Sequence, residues 1–320
     1  MFSRFEAWNN MTKNGDNIVV ASHPTPDGDA IGSSLALALA LHRAGKNPVV
    51  ILDKYAARFD FLEGREFIYQ GKIEDLTCDV FIAVDCGDKI RVGEAEELFN
   101  RAPITINIDH HINNTNFARL NYVDTNASAT SEVVFTIINM HVPINKSIAE
   151  ALYMGIVTDT GGFRHLSTTA ETMEIAALLM RTGIDFSDIQ RRAIYSHSHI
   201  EAQIFAKAIQ KMKFVEGYPI VYTVLTQSDL RAVHATYSDL DGIAEYMLNT
   251  EDAVVSAFFT ERLEGKMKVS FRSANLDVRL LAEHFGGGGH KFAAAGNFTS
   301  GLDEGVALVL DALKAALDNK

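Results

Sequence analysis

Short, continuous apolar runs separated by helical patterns constrain the fold of this chain more than any other feature. Residues 17–22, centred on Ile18-Val19-Val20-Ala21, and residues 48–53, 79–84 and 103–108 each read as a strand. Residues 30–44 read as a helix that ends at Gly45. A strand that is apolar along its whole length is buried on both faces, the pattern of a parallel sheet covered by helices. Residues 147–158 carry Ile148, Leu152, Ile156 and Val157 near helical spacing, and 169–182 gives a further helix that Gly183 would cap. The expected fold class is α/β, with a parallel sheet in the first half.

Beyond residue 184 the character changes. Residues 185–213 are helical and charged with few turn residues, as in a connection. Strand patterns follow at 219–226, 253–260 and 267–272, and helical ones at 276–284 and 303–317. This predicts a catalytic domain over 1–186, a helical linker over 187–213 and a smaller mixed α/β domain over 214–320. A chain of 320 residues is long enough for two such cores.

Acidic and imidazole side chains cluster where the strands end. His23, Asp27 and Asp29 follow the first, Asp85 closes the third, and Asp109-His110-His111 stands at the end of the fourth. Asp159 ends the helical pattern before Gly161-Gly162. In open α/β sheets ligands collect beyond the carboxyl ends of the strands, so these groups can meet at one edge. Taken singly, an aspartate such as Asp27 is more often a helix cap. Together they make a ligand set for two divalent cations, with one carboxylate bridging. Oxygen and imidazole ligation suits Mn²⁺ foremost, with Mg²⁺ or Co²⁺ as alternatives.

Charge and cysteine content exclude several classes. A net charge of −12 argues against a protein that grips long duplex DNA. Cys78 and Cys86 give neither a disulfide framework nor a C-x-x-C zinc pair, and Cys86 reads as a small core residue. The first ten residues lack the apolar core of a signal peptide, and no apolar stretch approaches a membrane span. The expectation is a cytoplasmic protein with no membrane partner.

The motifs His23-Pro24-Thr25-Pro26-Asp27-Gly28-Asp29, Val84-Asp85-Cys86, Asp109-His110-His111 and Thr158-Asp159-Thr160-Gly161-Gly162 closely resemble those of the DHH phosphoesterase family. Ser270-Phe271-Arg272-Ser273 and Gly286-Gly287-Gly288-Gly289-His290, followed by Ala293-Ala294-Ala295-Gly296, resemble the DHH-associated substrate-binding domain. The resemblance spans nearly the whole chain and is greatest to the NrnA-like branch of nanoRNases and 3′-phosphoadenosine 5′-phosphate phosphatases. It implies hydrolysis of oligoribonucleotides of two to five residues to mononucleotides, or of 3′-phosphoadenosine 5′-phosphate to AMP. Cyclic or linear dinucleotides, and polyphosphate or pyrophosphate, are the alternative substrates within the same chemistry.

The resemblance also implies roles. His23, Asp27 and Asp85 would hold one metal, and Asp29, Asp85, His110 and Asp159 the other. His111 would lie beside the scissile phosphate, and Asp109 would orient the imidazoles. Arg272, Ser273, Gly287, Gly288, Gly289, His290 and Gly296 would hold the substrate, in a cleft between the domains. At Ala295 the chain departs from many relatives, which have the glycine one place earlier. Between Arg262 and Lys291 six basic and three acidic residues leave a local charge of +3, which suits a phosphate-bearing ligand. Arg164 and His165 could contact the substrate or simply face solvent. Homodimer formation is left open by the sequence.

Overall fold

In the computed structural model, which describes residues 3–262, 265–299 and 301–318, the chain forms two units, Met1–Ser196 and His197–Lys320. The first holds α1 (Arg4–Thr12), β1 (Asn17–Ala21), α2 (Gly28–Arg43), β2 (Asn47–Ile51), β3 (Val80–Val84), α3 (Glu96–Arg101), β4 (Ile104–Asp109), β5 (Leu120–Val123), α4 (Thr130–Ile138), α5 (Lys146–Asp159), α6 (Ala170–Met180) and α7 (Phe186–Gln190). Its five strands lie in the order β2-β1-β3-β4-β5, and every pairing is parallel.

The apolar runs serve both faces of this sheet. Ile18, Val20, Ile82, Val84, Ile106 and Ile108 pack into a core shared with α2, α4 and α5. The alternate residues Val19, Ala21, Phe81 and Ala83 pack with Val92, Ala95, Leu98 and Phe99. Strand order reverses between β1 and β3, and at such a point the loops diverge and leave a crevice. His23 follows β1 and Asp85 follows β3, so both stand at this edge.

Two elements lack the expected signals. β5 is short and only half buried, with no continuous apolar run. In α4, Thr130–Ile138, Val133, Val134, Phe135, Ile137 and Ile138 are all buried, so no polar face marks the helical period. Gly155 of α5 lets that helix approach: a Cβ there would lie 2.0 Å from Ser131 Oγ and 2.8 Å from Asp29 Oδ1. This close passage brings α4 and α5 together beside the carboxylate cluster.

The second unit holds α8 (His199–Gln210), β6 (Lys213–Phe214), β7 (Ile220–Leu225), α9 (Gln227–Ala232), α10 (Ile243–Leu248), β8 (Val255–Glu261), β9 (Met267–Ser273), α11 (Arg279–His284), β10 (Gly288–His290), β11 (Ala293–Phe298) and α12 (Leu302–Asp318). A π-helical turn, Arg191–Tyr195, precedes α8. The sheet is mixed, in the order β10-β11-β9-β8-β7-β6. On one face Phe259, Val269, Phe271 and Ala294 pack with Val309 and Leu313 of α12. On the other, Val221, Leu225 and Phe258 pack with Ile204 and Ala208 of α8 and Ile243 and Met247 of α10. On β9 and β11 that second face carries Lys268, Ser270, Arg272, Ala293, Ala295 and Asn297, none of them buried. No helix of the described residues is long and apolar enough to cross a membrane.

Candidate metal centre

Asp27 caps α2. Its Oδ1 accepts from the backbone N–H groups of Asp29 and Ala30, both at 3.0 Å. This is the common use of aspartate at a helix start, and it leaves the second carboxylate oxygen available. His23 is buried, with Nδ1 2.9 Å from the Pro24 carbonyl, and its Nε2 faces Asp85 Oδ2 at 3.4 Å. A carbonyl only accepts, so Nε2 is the ring nitrogen left for a ligand.

Asp29, in the first turn of α2, is buried against the start of α4. Its Oδ2 accepts from Thr130 N at 2.6 Å and its Oδ1 from Ser131 N at 2.9 Å. Unpaired N–H groups at a helix N-terminus favour a carboxylate. Asp85 is 2% exposed and takes a left-handed backbone, φ +57°, with its N–H bonded to the Ile108 carbonyl at 3.0 Å. Such a conformation costs a non-glycine residue about 1–3 kcal/mol and persists where the surroundings enforce it. It turns the carboxylate toward three imidazoles and the Thr130 hydroxyl, which donates to Oδ1 at 3.0 Å.

Around Asp109 the imidazoles part company. Asp109 Oδ1 lies 2.7 Å from His111 Nδ1, and its Oδ2 accepts from Asn114 Nδ2 at 2.5 Å. Asn114 also bonds Asn107 Oδ1 and the Cys86 carbonyl, so a buried amide network fixes the carboxylate. His110 turns away: its Nδ1 faces the Ala127 carbonyl at 3.3 Å, while Nε2 lies 3.3 Å from Asp159 Oδ2. The expectation that Asp109 orients both imidazoles is therefore corrected; it holds His111, and a backbone carbonyl holds His110.

Three sets of donor atoms result, each within 4.8 Å of one another: His23, Asp27 and Asp85; Asp29, His110 and Asp159; Asp85, His110 and His111. Asp85 and His110 each belong to two sets, so the three are linked. The six residues expected as ligands fill the first two sets. His111, expected at the scissile phosphate, also lies within ligand reach.

The electrostatics of this donor set call for cations. Burial, then Asp85 and Asp159, hold the Asp29 carboxyl well above its usual range. Burial, reinforced by Asp85 and Asp27 against the opposing His110, pushes Asp159 up to about 6. Asp85 stays low although burial opposes it, because His23, His110 and His111 surround it. For His110 burial favours the neutral ring, yet Asp29, Asp159 and Asp85 raise its pKa; for His111 the Asp109 bond does so. Carboxylates this close repel, and hard divalent cations relieve that repulsion with the same oxygen and nitrogen donors. The residues present fit such ions. Cys86 is no competitor as a ligand, since burial and then Asp85 raise its thiol far above the ordinary value.

Sequence reasoning missed Thr130, Ser131, Asn107 and Asn114. The run Ser128-Ala129-Thr130-Ser131-Glu132 was the available signal for a helix start. Glu132 in fact ties that start down, accepting from Ser128 N, Ser128 Oγ and Thr172 Oγ1. Arg164 Nε donates to the Gly161 carbonyl and His165 Nδ1 faces the Asp159 carbonyl, so both engage the turn after α5.

In the second unit the glycine run forms an edge strand rather than a loop. Gly288, Gly289 and His290 pair with Ala295, Ala294 and Ala293. Gly289 has φ +143°, and a Cβ on Gly287 would stand 1.9 Å from the Ala295 carbonyl oxygen. Above Gly288 the space is open. His290 is exposed and Arg272 partly so, with one guanidinium N–H on its own Phe271 carbonyl. Two residues expected at the substrate have side-chain positions already engaged by the protein. Ser273 is buried and its hydroxyl serves Leu276 N, Asn275 N and the Val254 carbonyl, which holds a turn. Gly296 lies beneath Phe285, whose Cβ a side chain there would meet at 2.8 Å.

Residues 17–156 match the family described as DHH family, N-terminal domain, and residues 217–319 match the DHHA1 domain. The first match stops just before Asp159, which the geometry adds to the centre. The chain is 33% identical to the "Bifunctional oligoribonuclease and PAP phosphatase NrnA" of Thermus thermophilus, over 94% of this chain and 90% of that protein. It is 27% identical to the "Probable bifunctional oligoribonuclease and PAP phosphatase NrnA" of Streptococcus mutans, over 88% and 89% of the two. The crystal structure of an exopolyphosphatase-related protein from Bacteroides fragilis superposes with a TM-score of 0.87 at 30% identity, covering 99% of this chain and 96% of that one.

Proposed function

The chain belongs to the DHH family of metal-dependent phosphoesterases, and from that premise we propose that it hydrolyses oligoribonucleotides of two to five residues to mononucleotides and 3′-phosphoadenosine 5′-phosphate to AMP. The observation that carries this reading is that Asp85 belongs both to the set with His23 and Asp27 and to the set with His110 and His111, while His110 links it to Asp29 and Asp159, an arrangement that suits a carboxylate shared by two cations. His23 and Asp27 would complete one position, and Asp29, His110 and Asp159 the other. When bound, the cations would supply a more acidic water and Lewis-acid support for phosphoryl oxygens, with Mn²⁺ the first choice.

The protein's own groups do the positioning. The α4 N–H groups fix Asp29, and the Ile108 carbonyl and Thr130 hydroxyl fix Asp85. His111, held through Nδ1 by Asp109, which favours its protonated form, would in that form donate a hydrogen bond or proton from Nε2 to a phosphoryl or leaving oxygen. Arg272 and His290 would hold the phosphate and nucleoside remote from the bond that breaks. Arg272 suits this because a guanidinium forks onto phosphate oxygens.

A substrate panel with Mn²⁺ tests the reading: di- to pentaribonucleotides, 3′-phosphoadenosine 5′-phosphate, cyclic and linear dinucleotides, pyrophosphate and polyphosphate. The expected result is highest kcat/KM on the short oligoribonucleotides and 3′-phosphoadenosine 5′-phosphate, abolished by chelator and restored by Mn²⁺. A preference for polyphosphate would transfer the assignment to the chemistry that the Bacteroides fragilis relative's description suggests.

A further inference from the structure

Along β9 the side chains of Lys268, Ser270 and Arg272 alternate with the buried Met267, Val269 and Phe271 and so share one face of the second sheet. Their neighbours on β11 are Asn297, Ala295 and Ala293, which leave a low floor beside the two cations. Arg262 follows β8 on the same alternation as Thr260, the residue paired with Lys268. Its guanidinium lies over the Tyr237 ring at 3.7 Å, a stacking that fixes its plane while leaving edge N–H groups for a ligand. Tyr237 is held in turn by Gln227 and by the Glu261 carbonyl.

These three cations repel one another. Burial first, and then Arg262 and Arg272, lower the pKa of Lys268. Among the described residues none of the three forms an ion pair, whereas Lys207, Lys211, Arg279 and Lys314 each do. In a chain of net charge −12, three cations that pair with no carboxylate of the described residues form a locally positive strip. Lys268 and Arg272 are four residues apart on a strand, about 13–14 Å. That distance is the reach of two nucleotide steps in an extended single strand.

We infer that Lys268 and Arg262 form a second phosphate subsite, next to Arg272, that engages only substrates longer than a dinucleotide. This rests on the oligoribonuclease reading and adds to it a length preference set by named residues. A strip of cations over a low floor reads backbone phosphates and not bases, so the subsite is indifferent to sequence.

The test compares wild type with Lys268→Gln, Arg262→Gln and Lys268→Arg, each loaded with Mn²⁺, on oligoadenylates of two, three and five residues. The ratio of kcat/KM for the pentanucleotide to that for the dinucleotide should fall roughly 10-fold in each Gln variant, the scale of one lost charge-assisted contact. Lys268→Arg should keep most of the ratio. In excess chelator, fluorescence anisotropy of a labelled pentanucleotide should show the same weakening and a shallower salt dependence. Equal loss on both lengths, or an unaltered ratio with unaltered pentanucleotide binding, would overturn the subsite. Failure of the wild type to cleave any oligoadenylate would sink the oligoribonuclease reading instead, and the anisotropy arm would still decide the subsite.

Discussion

The two units treat their charged side chains in opposite ways. At the edge of the parallel sheet, buried carboxylates and imidazoles are each held by a partner: Asp29 by two backbone N–H groups, Asp109 by His111 and Asn114, Asp85 by Thr130. On the open face of the second sheet, Arg262 after β8 and Lys268 and Arg272 of β9 carry no carboxylate partner among the described residues and are only partly buried. Fixed geometry is what bond cleavage between metal positions demands, because misplacing a reacting group is costly in rate. Holding a flexible polyanion needs positive potential and reach more than rigidity. The difference separates a site built for chemistry from a surface built for retention.

Substituting the shared ligand should break the first half of this contrast most severely. Asp85→Ala is expected to lose roughly three or more orders of magnitude in kcat, because both proposed cation positions depend on that carboxylate. Near-normal turnover of this variant in saturating Mn²⁺ would remove the two-cation assignment.

Asn114→Ala sharpens the same half. It removes a donor to Asp109 and frees Asn107, while touching no expected ligand. Partners of ligands typically contribute about 10- to 100-fold to metal affinity or activity, so activity titrated against Mn²⁺ should drop by that order. An unchanged titration would show that Asp109 and His111 keep their places without the amide.

The smallest effect is expected on the cationic face. Arg272→Ala should reduce kcat/KM on a dinucleotide about 10- to 30-fold, at the lower end for a charge-assisted contact because the guanidinium is partly exposed. The loss on bis-p-nitrophenyl phosphate, which has no second nucleoside or phosphate to hold, should be several-fold smaller. Equal losses on the two esters would mean that Arg272 serves the chemistry or the fold, and the division of labour would fail.

How far the sequence could be read follows the range of the interactions involved. β1, β3 and β4 were legible because burial on both faces demands unbroken apolar runs, and the acid clusters behind them were legible as residues out of place at strand ends. The helix after β5 was not. α4 is buried nearly all round, so its period leaves no trace in polarity. The edge strand at Gly288–His290 was hidden as well, since glycine carries no strand propensity and only pairing with β11 extends it.

Sequence alone therefore determined the fold class, the residues that gather at the sheet edge and the cation-seeking character of that gathering. These depend on local signals: apolar period, caps and residue chemistry. Tertiary structure alone decided how the gathering is held. It set Thr130 and Ser131 against Asp29 across about a hundred residues, turned Asp85 into a left-handed conformation and gave His110 a backbone carbonyl in place of Asp109. It also turned the Ser273 hydroxyl onto the Val254 carbonyl and laid Gly296 beneath Phe285. Each of these rests on a hydrogen bond, a close approach or a strand register between segments distant in sequence, and no local pattern encodes such a pairing.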